Sequence, residues 1–199
     1  MDPQLAAIIV HDLKNALSSL EGELSDLTLA PDQSKASQAH VHCQALREKM
    51  VGFLTLYKAS EQGLHPRIEA VNPQDFLQGI VRGHSKAGIS ITLDTDDMPV
   101  VAFFDENLLG LALDATLQNA LRFAKSTIVV GCKTIAEETV FTVQDDGPGL
   151  GTEEAQQSTG MGMALCAAIA AAHRNGERQG RTRLHDLPQG GALFCLYLP

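Results

Sequence analysis

The stretch "IIVHDLKNAL" packs His11, Asp12, Lys14 and Asn15 into five consecutive positions of a segment otherwise patterned as an apolar helix. On a helix His11 and Asn15 lie one turn apart, and Ser18, Ser19 and Gly22 continue their stripe. An imidazole followed by small side chains leaves room for a second protein to approach the ring, as a docking face for phosphoryl chemistry requires. Three further groups suit a nucleotide. "VQDDGPGL" ends a predicted strand with Asp145, a carboxylate able to accept a hydrogen bond from an exocyclic amine such as that of adenine. It continues into Gly147-Pro148-Gly149, a tight turn that brings backbone close to a ligand. "STGMGMAL" sets Gly160 and Gly162 at the mouth of an Ala-rich helix, where unpaired N–H groups and the positive dipole end favour phosphate oxygens. "LDATLQNALRF" places Asn119 opposite an apolar face of Leu109, Leu113, Leu117 and Ala120, with Arg122 and Phe123 nearby. An amide oxygen is a suitable hard ligand for Mg²⁺ held on phosphates.

The elements that must position these groups are legible from capping and periodicity. Asp2-Pro3 is a helix start, and Val10, Leu13, Leu17, Leu20, Leu24 and Leu27 recur at alternating spacings of three and four, a coiled-coil seam. "APDQS" breaks it, and a second seam follows at Ala39, Cys43, Leu46, Met50, Phe53 and Tyr57. Two such helices form a hairpin that leaves apolar surface bare, which a homodimeric four-helix bundle would cover. The Gly and Pro of "EQGLHPRI" mark a linker. Beyond it the pattern predicts strands at Arg67–Val71, Ile89–Leu93, Val100–Phe103, Thr127–Lys133, Thr139–Gln144, Arg181–His185 and Ala192–Leu198, with helices at Pro73–Lys86, Glu106–Ala124 and Gly160–His173. The fold class is α+β: a helical hairpin over 1–62, then over 66–199 an α/β sandwich with helices on one face of a mixed, mostly antiparallel sheet.

With 199 residues, 44% hydrophobic and 20% charged, the chain has the composition of a globular protein. A net charge of −9 excludes broad attraction to nucleic acid or an anionic membrane. No apolar run is long enough to span a bilayer, so a cytoplasmic location without membrane insertion is expected. Cys43, Cys132, Cys166 and Cys195 lack CxxC spacing and read as reduced, buried thiols. The ligand types in "HVHC" (40–43) diverge around a helix and do not make a metal site.

Taken in order, the histidine helix, second helix, asparagine helix, Asp-Gly-Pro-Gly turn, Gly-x-Gly helix and final "GGALFCLYLP" resemble the bacterial sensor histidine kinases of two-component systems. Residues 1–62 resemble the dimerisation and histidine phosphotransfer module, and the remainder resembles the GHKL (Bergerat) ATP-binding domain. The resemblance implies His11 as phosphoacceptor, Asp12 as its adjacent acid, and Asn15 as the position that orients water for response-regulator dephosphorylation in bifunctional members. It implies Asn119 as the Mg²⁺-binding N-box asparagine, with Arg122 and Phe123 as basic and aromatic partners. Asp145 becomes the adenine-binding aspartate, Gly147 and Gly149 complete its box, and Thr159, Gly160 and Gly162 form the second glycine box.

The implied activity is that of an ATP-dependent protein-histidine kinase using ATP and Mg²⁺. Neutral imidazole attacks the γ-phosphate in line, and the phosphoryl group passes to an aspartate of a receiver domain. Asp12 is expected to accept a hydrogen bond from one ring nitrogen and leave the other nucleophilic. Three departures stand out. Ala115 replaces a second polar N-box residue, the lid from Leu150 to Thr159 is short and lacks phenylalanine, and no sensor, HAMP or transmembrane segment precedes His11, so input is expected from a separate sensor or input protein, from a region outside these residues, or from the nucleotide itself. Ala115 and the short lid favour an alternative, a phosphotransfer or scaffold protein that relays phosphate through His11 without using ATP. A serine kinase of the same ATPase class ranks last, because it gives the paired seams and His11-Asp12 no purpose.

Overall fold

Asp2 and Asp32 open the two long helices of the N-terminal segment. Each carboxylate accepts a first-turn backbone N–H, Asp2 from Gln4 and Asp32 from Lys35, both at 2.8 Å. Helix α1 spans Pro3–Leu29 and α2 spans Gln33–Glu61. The structure, a computed structural model, describes residues 2–84, 88–150 and 160–199, and divides into two units, Met1–Gln62 and Gly63–Pro199.

Within the first unit each expected seam splits in two. Leu20, Ala39 and Leu46 are buried between the helices, and Leu13, Ala16 and Leu27 pack against them. Val10, Leu17 and Leu24 of α1 and Met50 and Tyr57 of α2 stay about half exposed. Cys43 is exposed too, which corrects the expectation that all four thiols are buried. The cause is geometric: alternate members of a three-four repeat sit on opposite edges of the apolar stripe, and one partner helix covers one edge. A pair between His42 Nδ1 and Glu23 Oε1, 2.7 Å apart, bridges the two helices on the solvent side.

The second unit begins with β1 (Glu69–Val71), α3 (Pro73–Arg82), β2 (Ser90–Asp94), β3 (Ala102–Phe104) and α4 (Glu106–Phe123). It continues with β4 (Thr127–Ile135), β5 (Glu138–Asp145) and α5 (Met161–Ala172), then the short strands β6 (Arg174–Asn175) and β7 (Arg178–Gln179), and closes with β8 (Arg181–Asp186) and β9 (Ala192–Leu198). Five strands form a sheet in the order β2-β4-β5-β9-β8, parallel only between β2 and β4, and β1 pairs antiparallel with β3.

Strand alternation decides which side chains face the helices. Ile128, Val130 and Cys132 of β4, Phe141 and Val143 of β5, and Phe194, Leu196 and Leu198 of β9 form one buried face. Leu109, Leu113 and Leu117 of α4 and Leu165 and Ile169 of α5 are the buried helix residues of the same unit. Phe141 meets Phe104 at 5.2 Å and Phe76 of α3 at 6.2 Å, in edge-on geometry. The opposite face is polar: Arg181 stacks over Tyr197 at 4.2 Å and pairs with Glu138, while Lys133 pairs with Asp94 at 3.2 Å.

Several boundaries differ from the sequence pattern. The first strand starts at Glu69 because the Arg67 N–H donates to Asp105 Oδ2 at 2.7 Å instead of entering a ladder. The strand expected at Val100–Phe103 forms over Ala102–Phe104, leaving Val100 and Val101 exposed. Helix α3 ends at Arg82, where the Gly83 N–H reaches back to Ile80 O at 3.1 Å; the expected end at Lys86 lies outside the described residues. The β6–β7 hairpin was not anticipated; Gly176, at φ +61°, makes its reversal.

Beside that hairpin, His173 is 2% exposed and holds three segments together. Its Nε2 accepts the Asp105 N–H at 3.1 Å, which leaves Nδ1 to donate to Ile169 O at 2.8 Å. Asp105 in turn caps α4 by accepting the Leu108 N–H at 2.9 Å.

Candidate functional site

Helix α4 is amphipathic as expected, with Leu109, Leu113, Leu117 and Ala120 buried and Asn119 exposed. Residues 115, 119 and 123 follow one another at four-residue steps and therefore share a face. At one end of this stripe, a Cβ added to Gly162 would find the Ala115 methyl at 3.9 Å, so the first turn of α5 runs close to α4. At the other end Gly147 sits on the last turn of α4, where a Cβ would stand 2.7 Å from the Phe123 carbonyl oxygen. Asn119 is exposed and lies midway along the stripe between the two glycine elements. Arg122 stacks over the neighbouring Phe123 ring at 5.2 Å.

Asp145 ends β5, and its Oδ1 accepts the Gly147 N–H at 2.8 Å, shaping the turn. The strand register sets Asp145 opposite Ile128, on the helix-covered side of the sheet. Asp146 serves the scaffold. Its carboxylate accepts the Ser126 hydroxyl at 2.6 Å and the Ser126 and Lys125 N–H groups at 3.0 and 2.8 Å, bonds that hold it well below the usual carboxylate range, the Ser126 hydroxyl foremost. The turn is thereby fastened to the entry of β4.

Sequence reasoning missed a second clamp on this turn. The Asp186 carboxylate at the end of β8 accepts the Leu150 N–H, and Gly149, at φ +86°, has no room for a Cβ beside Asp186 Oδ1. Gly191, at φ +94°, packs on the Asp145 backbone so closely that a side chain there would overlap the Asp145 carbonyl. The Gly190-Gly191 pair was visible in the sequence, but nothing local marked Asp186, whose partner is thirty-six positions away.

Gly160 caps α5 in a left-handed conformation, φ +70°, with no side chain closing the first turn. A helix start of this kind carries the positive end of the helix dipole, which favours anions. Thr159 and the lid beyond Leu150 lie outside the described residues. Three features suit a phosphorylated ligand with an attendant Mg²⁺: a helix start opened by a left-handed glycine, the exposed Asn119 on the neighbouring helix, and the crowded glycine at position 147. Among the described residues no group of three His, Cys, Asp or Glu side chains converges on a metal position.

In the first unit His11 is an exposed side chain on α1, and the Asn15 amide lies one turn on, its Nδ2 3.2 Å from His11 Nδ1. Asp12 Oδ1 is 3.8 Å from the same nitrogen, outside hydrogen-bond range, so the bond expected from His11 to Asp12 is not formed. Neighbouring helix positions diverge around the axis, whereas positions four apart meet.

Comparison with known proteins follows the same division. Residues 104–199 match the family of histidine kinase-, DNA gyrase B- and HSP90-like ATPases. Over 98% of this chain, the sensor histidine kinase CpxA of Escherichia coli is 24% identical and the adaptive-response sensory kinase SasA of Synechocystis is 26% identical. The chain spans 46% of CpxA and 58% of SasA. Among solved structures, Acinetobacter baumannii histidine kinase AdeS shares the fold with a TM-score of 0.74 at 19% identity, covering 94% of this chain and 96% of its own. Histidine kinase ThkA, solved in complex with response regulator protein TrrA, matches with a TM-score of 0.68 at 15% identity, over 99% of this chain and 61% of its own. No helix among the described residues is long and apolar enough to cross a membrane.

Proposed function

We propose, from the premise that this chain carries the catalytic core of a two-component histidine kinase, that it transfers the γ-phosphoryl group of ATP to His11 and then to an aspartate of a response-regulator receiver domain. The observation that carries the reading is the α4 stripe, which sets Asn119 between the Gly147 turn and the Gly160–Gly162 helix start. Asp145 would receive the adenine amine, and the α5 N-terminus the phosphate oxygens. Asn119 would hold Mg²⁺, which when bound offsets charge on the phosphates. The solution of ThkA with a response regulator supports a receiver domain as partner, and the exposed face of His11 suits its approach.

The exposed half-seams support a homodimer, because a second hairpin laid against Val10, Leu17 and Leu24 completes a four-helix bundle. Asn15 serves dephosphorylation of the receiver. One observation favours the second reading, a relay that does not use ATP: Ala115 presents only a methyl group to the start of α5.

The deciding experiment incubates the protein with Mg²⁺ and γ-labelled ATP, beside His11→Gln and Asn119→Ala. Acid-labile, alkali-stable label on the wild type alone is the expected result. No label on any form, together with no ATP binding by titration, would replace the kinase with the relay.

A further inference from the structure

We propose that Asp105 and His173 are positioning residues that register α5 against α4, and that they couple nucleotide binding to the hold on the segment entering β1. The inference rests on the reading of the glycine elements of α4 and α5 as the ATP site, and adds the residues that set its geometry from a distance. Asp105 is 7% exposed and His173 2%. The two oxygens of the Asp105 carboxylate serve different segments: Oδ1 accepts the Leu108 N–H at the start of α4, and Oδ2 accepts the Arg67 N–H at 2.7 Å. The Asp105 N–H donates to His173 Nε2 at 3.1 Å, just past the end of α5. His173 has little freedom of its own. Its carbonyl accepts the Gly180 N–H at 2.9 Å, and Gly180 has no room for a side chain against the Ala170 carbonyl, so the end of α5 is fixed to the entry of β8.

The two helices are tied again halfway along. Cys166 Sγ donates to the Ala112 carbonyl oxygen at 3.3 Å and stands 3.4 Å from Thr116 Oγ1. Further on, Gly162 passes Ala115. Asp105 and Ala115 are separated by about 15 Å of helix, so the buried joint and the glycine face lie at opposite ends of one packed pair. Packed helices slide as units, so slippage at the joint changes the spacing of Gly162 from Ala115 and of Gly160 from Asn119. The same carboxylate holds Arg67, and displacement of residues 63–67 therefore loosens the register that the nucleotide needs. Coupling of this kind is reciprocal: a nucleotide that fixes the spacing of α4 and α5 must also tighten the bond to Arg67.

The test uses the full chain with a non-hydrolysable ATP analogue and Mg²⁺, and reads the coupling from both ends. In amide hydrogen exchange the analogue is expected to slow the Arg67 and Asp105 amides about fivefold each, the scale of one ordinary hydrogen bond. The Asp75 and Asp96 amides, which donate to side chains elsewhere in the same unit, should keep their rates. In calorimetric titration Arg67→Pro, which removes the donated N–H, is expected to bind the analogue about fivefold more weakly than Arg67→Ala, which keeps it. Asp105→Asn retains an oxygen for the α4 cap but sets an NH₂ group against the Arg67 N–H, and should lose as much. An unchanged rate at Arg67 or Asp105, or slowing shared equally by Asp75 and Asp96, overturns the coupling on the wild type alone, whether or not a variant folds. Equal affinity in folded Arg67→Pro and Arg67→Ala overturns it as well. In each of these cases the analogue still binds and the ATP-site reading stands, whereas no binding by the wild type removes that reading and the coupling with it.

Discussion

The Phe123 carbonyl oxygen and Gly147 approach so closely that a Cβ at position 147 would stand 2.7 Å from that oxygen. This contact joins the end of α4 to the turn that carries Asp145. Gly147→Ala must push backbone against backbone, with a cost of about 1–3 kcal/mol expected from overpacking. Urea unfolding should register that loss, and calorimetric titration should show weaker ATP binding.

Asp186→Ala tests the second clamp. It frees the Leu150 N–H and leaves the exposed end of β8 otherwise unchanged. Nucleotide affinity is expected to fall by about tenfold, the scale of one hydrogen bond to a carboxylate, while the urea midpoint stays near that of the wild type. Equal affinity in the two proteins would show that the turn needs no clamp at Asp186.

The proposed homodimer and the hairpin fold draw on different halves of one repeat. Leu17→Glu, on the bare edge of α1, is expected to give a folded monomer by light scattering, whereas Leu20→Ala should cost about 2–5 kcal/mol of stability. Cys43 supplies an independent readout. Burial pushes the Cys132 thiol up to about 12 and the Cys166 thiol up to about 11, so neither should react with a maleimide in the folded chain. Cys43, exposed in the single chain, should react when dilute and be protected on association.

His173 makes stability depend on pH. Burial favours its neutral form and lowers its pKa below the ordinary 6.5, against the opposing pull of its bond to Ile169 and of the Asp105 charge. The unfolded chain therefore binds this proton first. The contribution is complete above about pH 6.5 and is lost as the pH falls below it. Urea midpoints should drop across that interval, and less steeply in His173→Gln.

How far the sequence reached depended on whether a signal was local. Capping by Asp2, the apolar face of α4 and the glycines around Asp145 each announce themselves within a few residues, and the structure has them where the pattern placed them. The seams were half legible: a three-four repeat identifies an apolar stripe but does not say which edge a single neighbour will cover, as Leu20 and Leu17 illustrate. Asp186 with Leu150 and His173 with Asp105 were illegible, because each pair is joined only by the tertiary fold. That the Asn15 amide stands nearer His11 Nδ1 than the adjacent Asp12 carboxylate follows from helix geometry, in which positions four apart meet and neighbours diverge.

The stripe through residues 115, 119 and 123 also acts as a ruler. Its two ends are eight residues apart, and a helix rises about 1.5 Å per residue, so the glycine elements are spaced about 12 Å along the axis by covalent geometry alone. A ligand that engages both marks would have to reach across that distance, which an extended nucleoside triphosphate does and a bare nucleoside does not. One alanine inserted after Asn119 would turn the far mark by about 100° and break the alignment. Four inserted residues would restore the facing side with the scale lengthened by about 6 Å.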